Sequence, residues 1–115
     1  MKDKAETGIG VVVIGRNEGP RLISCLQSIG AAVGPVVYVD SGSTDGSQAA
    51  AAAAGAIVIP LDMRQPFTAA RARNTGFDHL SALPARPAFV QFIDGDCDLQ
   101  QGWLGQAHAF LLDNP

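Results

Sequence analysis

The chain is predicted to fold as an α/β domain, a mainly parallel sheet flanked by helices. Three observations in its 115 residues carry that expectation. Apolar runs of strand length alternate with segments of helical periodicity along the whole chain. The first run, Ile9 to Ile14, is β-branched at every position but Gly10, as a strand buried on both faces requires. Three of the runs give way to polar clusters: Arg16 to Gly19, Asp40 to Gly46 and Asp94 to Asp98.

After the first strand, Pro20 suits the opening turn of a helix, where its missing N–H costs nothing. Leu22, Cys25, Leu26 and Ile29 then follow the i, i+3, i+4, i+7 pattern up to Gly30. Val36 to Val39 is the second strand and delivers Asp40. In "SGSTDGSQAAAAAAG" a loop precedes a helix. Asp45 and Gln48 form a capping-box variant, the alanines propagate the helix and Gly55 ends it. Ala56 to Ile59 is a third strand, stopped by Pro60. Thr68 to Leu80 reads as a helix whose narrow small-residue face holds Ala69, Ala72, Gly76 and Leu80, and "SALPARP" connects onward. The fourth strand, Ala88 to Ile93, delivers the acidic cluster. Trp103, Leu104, Ala107, Phe110 and Leu111 mark a last amphipathic helix. Right-handed crossovers join such parallel strands, and ligands bind beyond the strands' carboxyl ends. All three polar clusters fall there, so a binding crevice is predicted at that edge.

The length fits one small domain or part of a larger one, and a hydrophobic fraction of 47% is ample for a packed core. A net charge of −3 leaves no basic footprint for nucleic acid or an anionic membrane. Any phosphate ligand must be held by a few placed groups and a metal. Cys25 and Cys97 have neither metal-binding nor redox spacing, which fits a reducing compartment. Met1 to Thr7 is polar, unlike a signal peptide, and the apolar runs are too short or too alanine-rich to span a bilayer. A soluble, cytoplasmic chain with no transmembrane segment is expected.

In "FIDGDCDL", Asp94, Asp96 and Asp98 occupy alternate positions. In an extended segment they share one face, neighbours roughly 6.5 Å apart. Two such charges repel by about 2.5 kcal/mol at an effective dielectric of 20. A solvated turn tolerates this, whereas a cleft closing on a ligand needs a counter-charge. The only lysines, Lys2 and Lys4, are remote in sequence, so a divalent cation with oxygen ligands is the economical alternative.

Several known signatures fail. No Gly-Lys pair exists for a Walker A loop, and Gly8 and Gly10 stand at the start of the apolar run instead of after it, with Val13 at the third glycine position of a dinucleotide fingerprint. An EF-hand breaks at Leu99, where glycine is needed, and at Gly105, where glutamate is needed. An aspartyl-phosphate phosphohydrolase matches Asp94 and Asp96 but requires a downstream lysine that is absent here. A receiver domain centred on Asp40 lacks the acidic pair and the late lysine.

The blocks "VVVIGRNEG", "VVYVDSGSTDGS", "ARNTG" and "FIDGDCDLQQGWL" occur in an order and context that resemble the nucleotide-sugar glycosyltransferases of family two. Their fold is GT-A, a Rossmann-like sheet. The resemblance runs from Ile9 to Leu112. It departs at Gly15 and Arg16, where proline and tyrosine-like residues often sit, and at Ser41, where many members carry another aspartate.

The resemblance implies transfer of a sugar from a nucleoside-diphosphate sugar, a UDP-sugar favoured, to a hydroxyl of a saccharide or lipid-linked acceptor. Inversion and Mg²⁺ or Mn²⁺ are implied with it. Ile14, Gly15, Arg16, Asn17 and Glu18 are expected to line the nucleotide pocket, and Asp40 to accept from the base. Ser41, Gly42 and Ser43 let backbone approach the ligand, with Asp45 a helix cap. Arg73 matches the arginine near the nucleotide. Arg71, about 200° around the helix, is expected to be solvated. Asp94 and Gly95 are expected near the ribose and Asp96 on the metal, with Asp98 a spectator. Cys97 should face the opposite side, Trp103 should sit in the core, and His79 and His108 at the surface.

The family's general base lies well downstream of its Asp-x-Asp motif. Residues 1–115 are therefore expected to be an amino-terminal, donor-binding portion with little activity alone. Uncovered apolar surface should favour a homo-oligomer, and the full-length protein could associate with a membrane. The alternatives are an aspartyl-phosphate-type phosphohydrolase and a non-catalytic nucleotide-binding module.

Overall fold

The computed structural model describes residues 8–30 and 34–114. Strands and helices alternate as β1 (Ile9–Gly15), α1 (Pro20–Ile29), β2 (Val36–Asp40), α2 (Ser47–Ala53), β3 (Ile57–Pro60), α3 (Ala69–Ser81), β4 (Phe89–Asp94) and α4 (Trp103–Asp113). The strands form one parallel sheet in the order β3-β2-β1-β4. This is the predicted α/β arrangement.

Side-chain alternation along the strands divides the core. Val11, Val13 and Tyr38 pack with Leu22, Cys25, Ile29, Ala51 and Leu104, so α1, α2 and α4 cover one face. Val12, Ile14, Val37 and Val39 pack with Ala72 and Leu80, so α3 covers the other. β1 lies between β2 and β4, and its Val11, Val12 and Val13 are fully buried, which accounts for its unbroken apolar run. On α3 the small-residue face is used for close approach: a Cβ at Gly76 would lie 2.5 Å from Val12 Cγ1.

The register positions the site. Gly15 pairs with Asp40 and Ile14 with Asp94, so the carboxyl ends of β1, β2 and β4 reach one line. The chain runs outward from β1 to β3 and then returns through α3 to β4 on the far side of β1. Strand order thus reverses between β1 and β4, where open α/β sheets form ligand crevices.

Some local expectations are corrected. Gly46, in the left-handed region at φ 84°, is the N-cap of α2 and supplies no side chain. Asp45 accepts from the Ser47 N–H and hydroxyl and so does cap the first turn, but Gln48 turns away from it toward Asp40. Trp103 is 46% exposed instead of core, because Leu104 is the buried side chain of α4; its indole N–H donates to Gln91 Oε1 at 2.9 Å. His108 is half-buried, its ring edge-on to Phe89 with centroids 5.7 Å apart. Among the described residues, no helix is long and apolar enough to cross a membrane.

Candidate functional site

A crevice of about 270 Å³ opens at the point of strand reversal. Ile14, Gly15, Arg16 and Glu18 line it from β1 and the following loop; Phe67, Ala69 and Arg73 from the start of α3; and Asp94 and Asp96 from the end of β4. A cavity of similar size between α1 and α4, at the other end of β1, is lined mostly by apolar side chains and backbone and gathers no comparable chemistry.

The acidic cluster is not an extended strip. The Gly95 N–H donates to Ile14 O at 2.8 Å and the Cys97 N–H to Asp94 O at 3.0 Å, so the backbone turns as soon as β4 ends. Each carboxylate then has a different environment. Asp94 Oδ1 accepts from Arg73 Nη2 at 3.2 Å, and Asp98 Oδ2 accepts from the Ser24 hydroxyl of α1 at 2.8 Å. Asp96 is exposed, and the contact it makes is with the Cys97 thiol at 3.5 Å. Cys97 therefore lies beside Asp96, not opposite it, because the turn abolishes strand alternation. Part of the counter-charge sought from a metal is supplied by Arg73. Gly95 has little room for a side chain: a Cβ there would meet Ile14 O at 3.2 Å.

Neither cysteine is poised as a nucleophile. The Cys97 thiol is pushed up by its bond to Asp96, then by desolvation and the charges of the surrounding carboxylates. Burial, followed by the charge of Asp98, pushes Cys25 up to about 12.

The second cluster is built around Asp40, which is fully buried. Its Oδ1 accepts from the Tyr38 hydroxyl and the Ser43 hydroxyl, both at 2.6 Å. Its Oδ2 accepts from the Ser43 N–H at 2.8 Å and Gln48 Nε2 at 2.9 Å. A carboxylate offers about four acceptor positions, and all are filled by the protein. Burial acts to raise its pKa, but the bonds from Ser43, Tyr38 and Gln48 prevail and hold it below the usual carboxylate range. Asp40 thus anchors the β2–α2 loop, its acceptor positions engaged by the protein's own donors. Ser41 differs: its N–H donates to Gly15 O at 3.0 Å, while its Oγ is buried without a partner.

Asn17 joins the first two loops. At φ 52° it adopts the left-handed conformation that asparagine tolerates. Its N–H donates to Ser43 Oγ at 2.8 Å and its Oδ1 accepts from the Thr44 N–H at 2.7 Å. The clasp fixes the loop that carries Arg16. Glu18 pairs with Arg21 at 2.9 Å along α1. Arg71 is not solvated: Nη2 donates to Asp62 O at 2.8 Å and Nη1 is buried without a partner. The turn of helix that keeps it from the crevice aims it at the segment after β3 instead of at water.

The match to known proteins covers this same frame. The description "Glycosyl transferase family 2" fits residues 10–115. The chain belongs to that family. The glycosyltransferase AglE of Haloferax volcanii is 31% identical over 105 residues, spanning 84% of this chain and 33% of AglE. The crystal structure of S. aureus TarS superposes with a TM-score of 0.72 at 23% identity, over 93% of this chain and 20% of TarS. The fold is therefore the GT-A arrangement. The chain spans about a third of AglE and a fifth of TarS. Membership of a glycosyltransferase family displaces the phosphohydrolase alternative.

Among the family-2 residues marked in the sequence, Ile14, Gly15, Arg16, Glu18, Arg73, Asp94 and Asp96 share the crevice. Asn17 and Ser43 clasp its rim, Gly95 is buried beneath it, and Asp40, Ser41 and Gly42 form the adjoining turn. Sequence reasoning missed Tyr38 and Gln48 as partners of Asp40. Tyr38 had a signal, since residues two apart on a strand share a face; Gln48 had none.

Proposed function

We propose that this chain is the donor site of a family-two glycosyltransferase. It would bind a nucleoside-diphosphate sugar, a UDP-sugar favoured, for transfer with inversion to a hydroxyl of a saccharide or lipid-linked acceptor. The supporting observation is the convergence of Arg73, Asp94 and Asp96 on the β1 loop at the strand-order reversal. The acceptor-activating base belongs, on this reading, to a segment downstream of residue 115. We place the reaction at the cytoplasmic side, in polysaccharide assembly.

The residues fit a hard divalent cation held jointly with a ligand. Among the described residues no three His, Cys, Asp or Glu side chains converge into a closed metal cage. Mg²⁺ and Mn²⁺ suit the other arrangement, one or two carboxylates completed by substrate phosphates and water. Asp96, exposed and free of a cationic partner among the described residues, is the ligand, with Asp94 beside it near the ribose. The cation would supply Lewis-acid neutralisation of the leaving diphosphate. Arg73 brings a guanidinium to the same place, suited to a phosphate oxygen. Asn17 and Asp40 hold the two loops in register, so that little ordering remains to be done on binding.

Two alanine substitutions test the assignment by titrating UDP and Mn²⁺ together. Asp96→Ala abolishes metal-dependent nucleotide binding, whereas Asp98→Ala, which frees only the Ser24 hydroxyl, retains it. Retained binding in Asp96→Ala contradicts the assignment and leaves the cluster a solvated turn; equal loss in both contradicts the choice of Asp96 over Asp98 as the ligand.

A further inference from the structure

The crevice holds one large side chain to which the donor reading gives no role. Phe67 lines it and is 49% exposed. It directly precedes Thr68, the N-cap of α3, where an apolar residue often staples onto the fourth residue of the helix. That residue here is Ala72, a single methyl group already fully buried, so a staple leaves most of the ring unused.

The segment that carries the ring is nonetheless pinned. Thr68 Oγ1 accepts from the Arg71 N–H at 3.0 Å, and Arg71 Nη2 donates to Asp62 O at 2.8 Å. These bonds close the segment carrying Phe67 across its base. Arg16 lines the same crevice from the loop that the Asn17 clasp fixes. An aromatic ring and a planar guanidinium therefore share one crevice, both on pinned segments, with the charged groups of Arg73, Asp94 and Asp96. A flat, apolar-faced group joined to a diphosphate combines the same two characters. Aromatic rings and arginine planes are the two side-chain surfaces on which bases stack.

We propose that Phe67 and Arg16 are the walls between which the donor's nucleobase stacks, with the diphosphate directed toward Asp96. The inference rests on the donor-site reading and adds a determinant to it. Stacking tolerates any base, so Phe67 contributes affinity and leaves the choice of base to other groups.

The test is calorimetry of the chain with UDP, GDP and dTDP in turn, and with inorganic pyrophosphate as a base-free probe, all with Mn²⁺. Phe67→Ala should weaken the tightest-binding nucleotide by roughly 5- to 150-fold and leave pyrophosphate unchanged. Phe67→Tyr, which keeps the ring, should bind the nucleotide as the unmodified chain does. Equal nucleotide binding by the unmodified chain and Phe67→Ala overturns the inference while the donor site stands. Parallel weakening of pyrophosphate also overturns it, since the ring would then only shape the loop. If the unmodified chain binds none of the nucleotides, the donor reading fails and takes the inference with it.

Discussion

Asp40 illustrates what one residue type at a strand end can and cannot reveal. Its place beyond β2 is evident from the apolar run Val36 to Val39, which stops there. Its task is not, because its donors come from the strand behind it, the loop and α2. Removing one donor should be costly, since a hydrogen bond to a buried charge contributes about 1.5–3 kcal/mol. Tyr38→Phe is therefore expected to lower unfolding stability by that amount in urea. The pH dependence has a definite sign. Asp40 titrates below its unfolded value of about 3.9, so the unfolded chain binds more protons between the two. Its contribution is fully present above the unfolded pKa and fades as pH falls through the folded one. The acid-side slope of stability should be shallower in Tyr38→Phe; an unchanged slope and midpoint would show that the Tyr38 bond contributes nothing.

At the level of elements, periodicity was a sound guide wherever packing used it. The spacing of Ala72, Gly76 and Leu80 marks the face that α3 buries, and these are its buried residues. Gly76→Ala would place a methyl 2.5 Å from Val12 Cγ1, on a stiff β-branched side chain with no exposed surface to yield into. Overpacking costs about 1–3 kcal/mol, against a gain of up to about 1 kcal/mol in helix propensity. Net destabilisation is expected on thermal unfolding, with weaker nucleotide binding because Arg73 lies one turn earlier on the same helix. A stabilised variant would contradict this account of how α3 seats. Periodicity failed after Asp94, where alternating aspartates suggested an extended strip. The turn there is made by hydrogen bonds to Ile14 and Asp94 carbonyls, and the first of these comes from another strand. Trp103 misled for a related reason, because one buried leucine suffices to seat the start of α4.

For the whole molecule, the alternation of eight elements and the parallel sheet were legible, because each strand carries its own apolar run and each helix its own spacing. The side-by-side order of the strands was not, since it follows from which faces the crossovers cover. Among the described residues β4 is an edge strand, with Phe92 39% and Phe77 45% exposed near it and Phe110 64% exposed on α4. An apolar open edge pairs readily with another chain. Light scattering should show association rising with concentration, and Phe92→Lys should suppress it; a monomer at high concentration would contradict this reading. The assembly of one donor site by three strand ends can be tested by titration calorimetry with UDP, GDP and dTDP, each with and without Mn²⁺. Binding should require the metal and favour one base. Binding indifferent to Mn²⁺, or to the presence of a base at all, would contradict it.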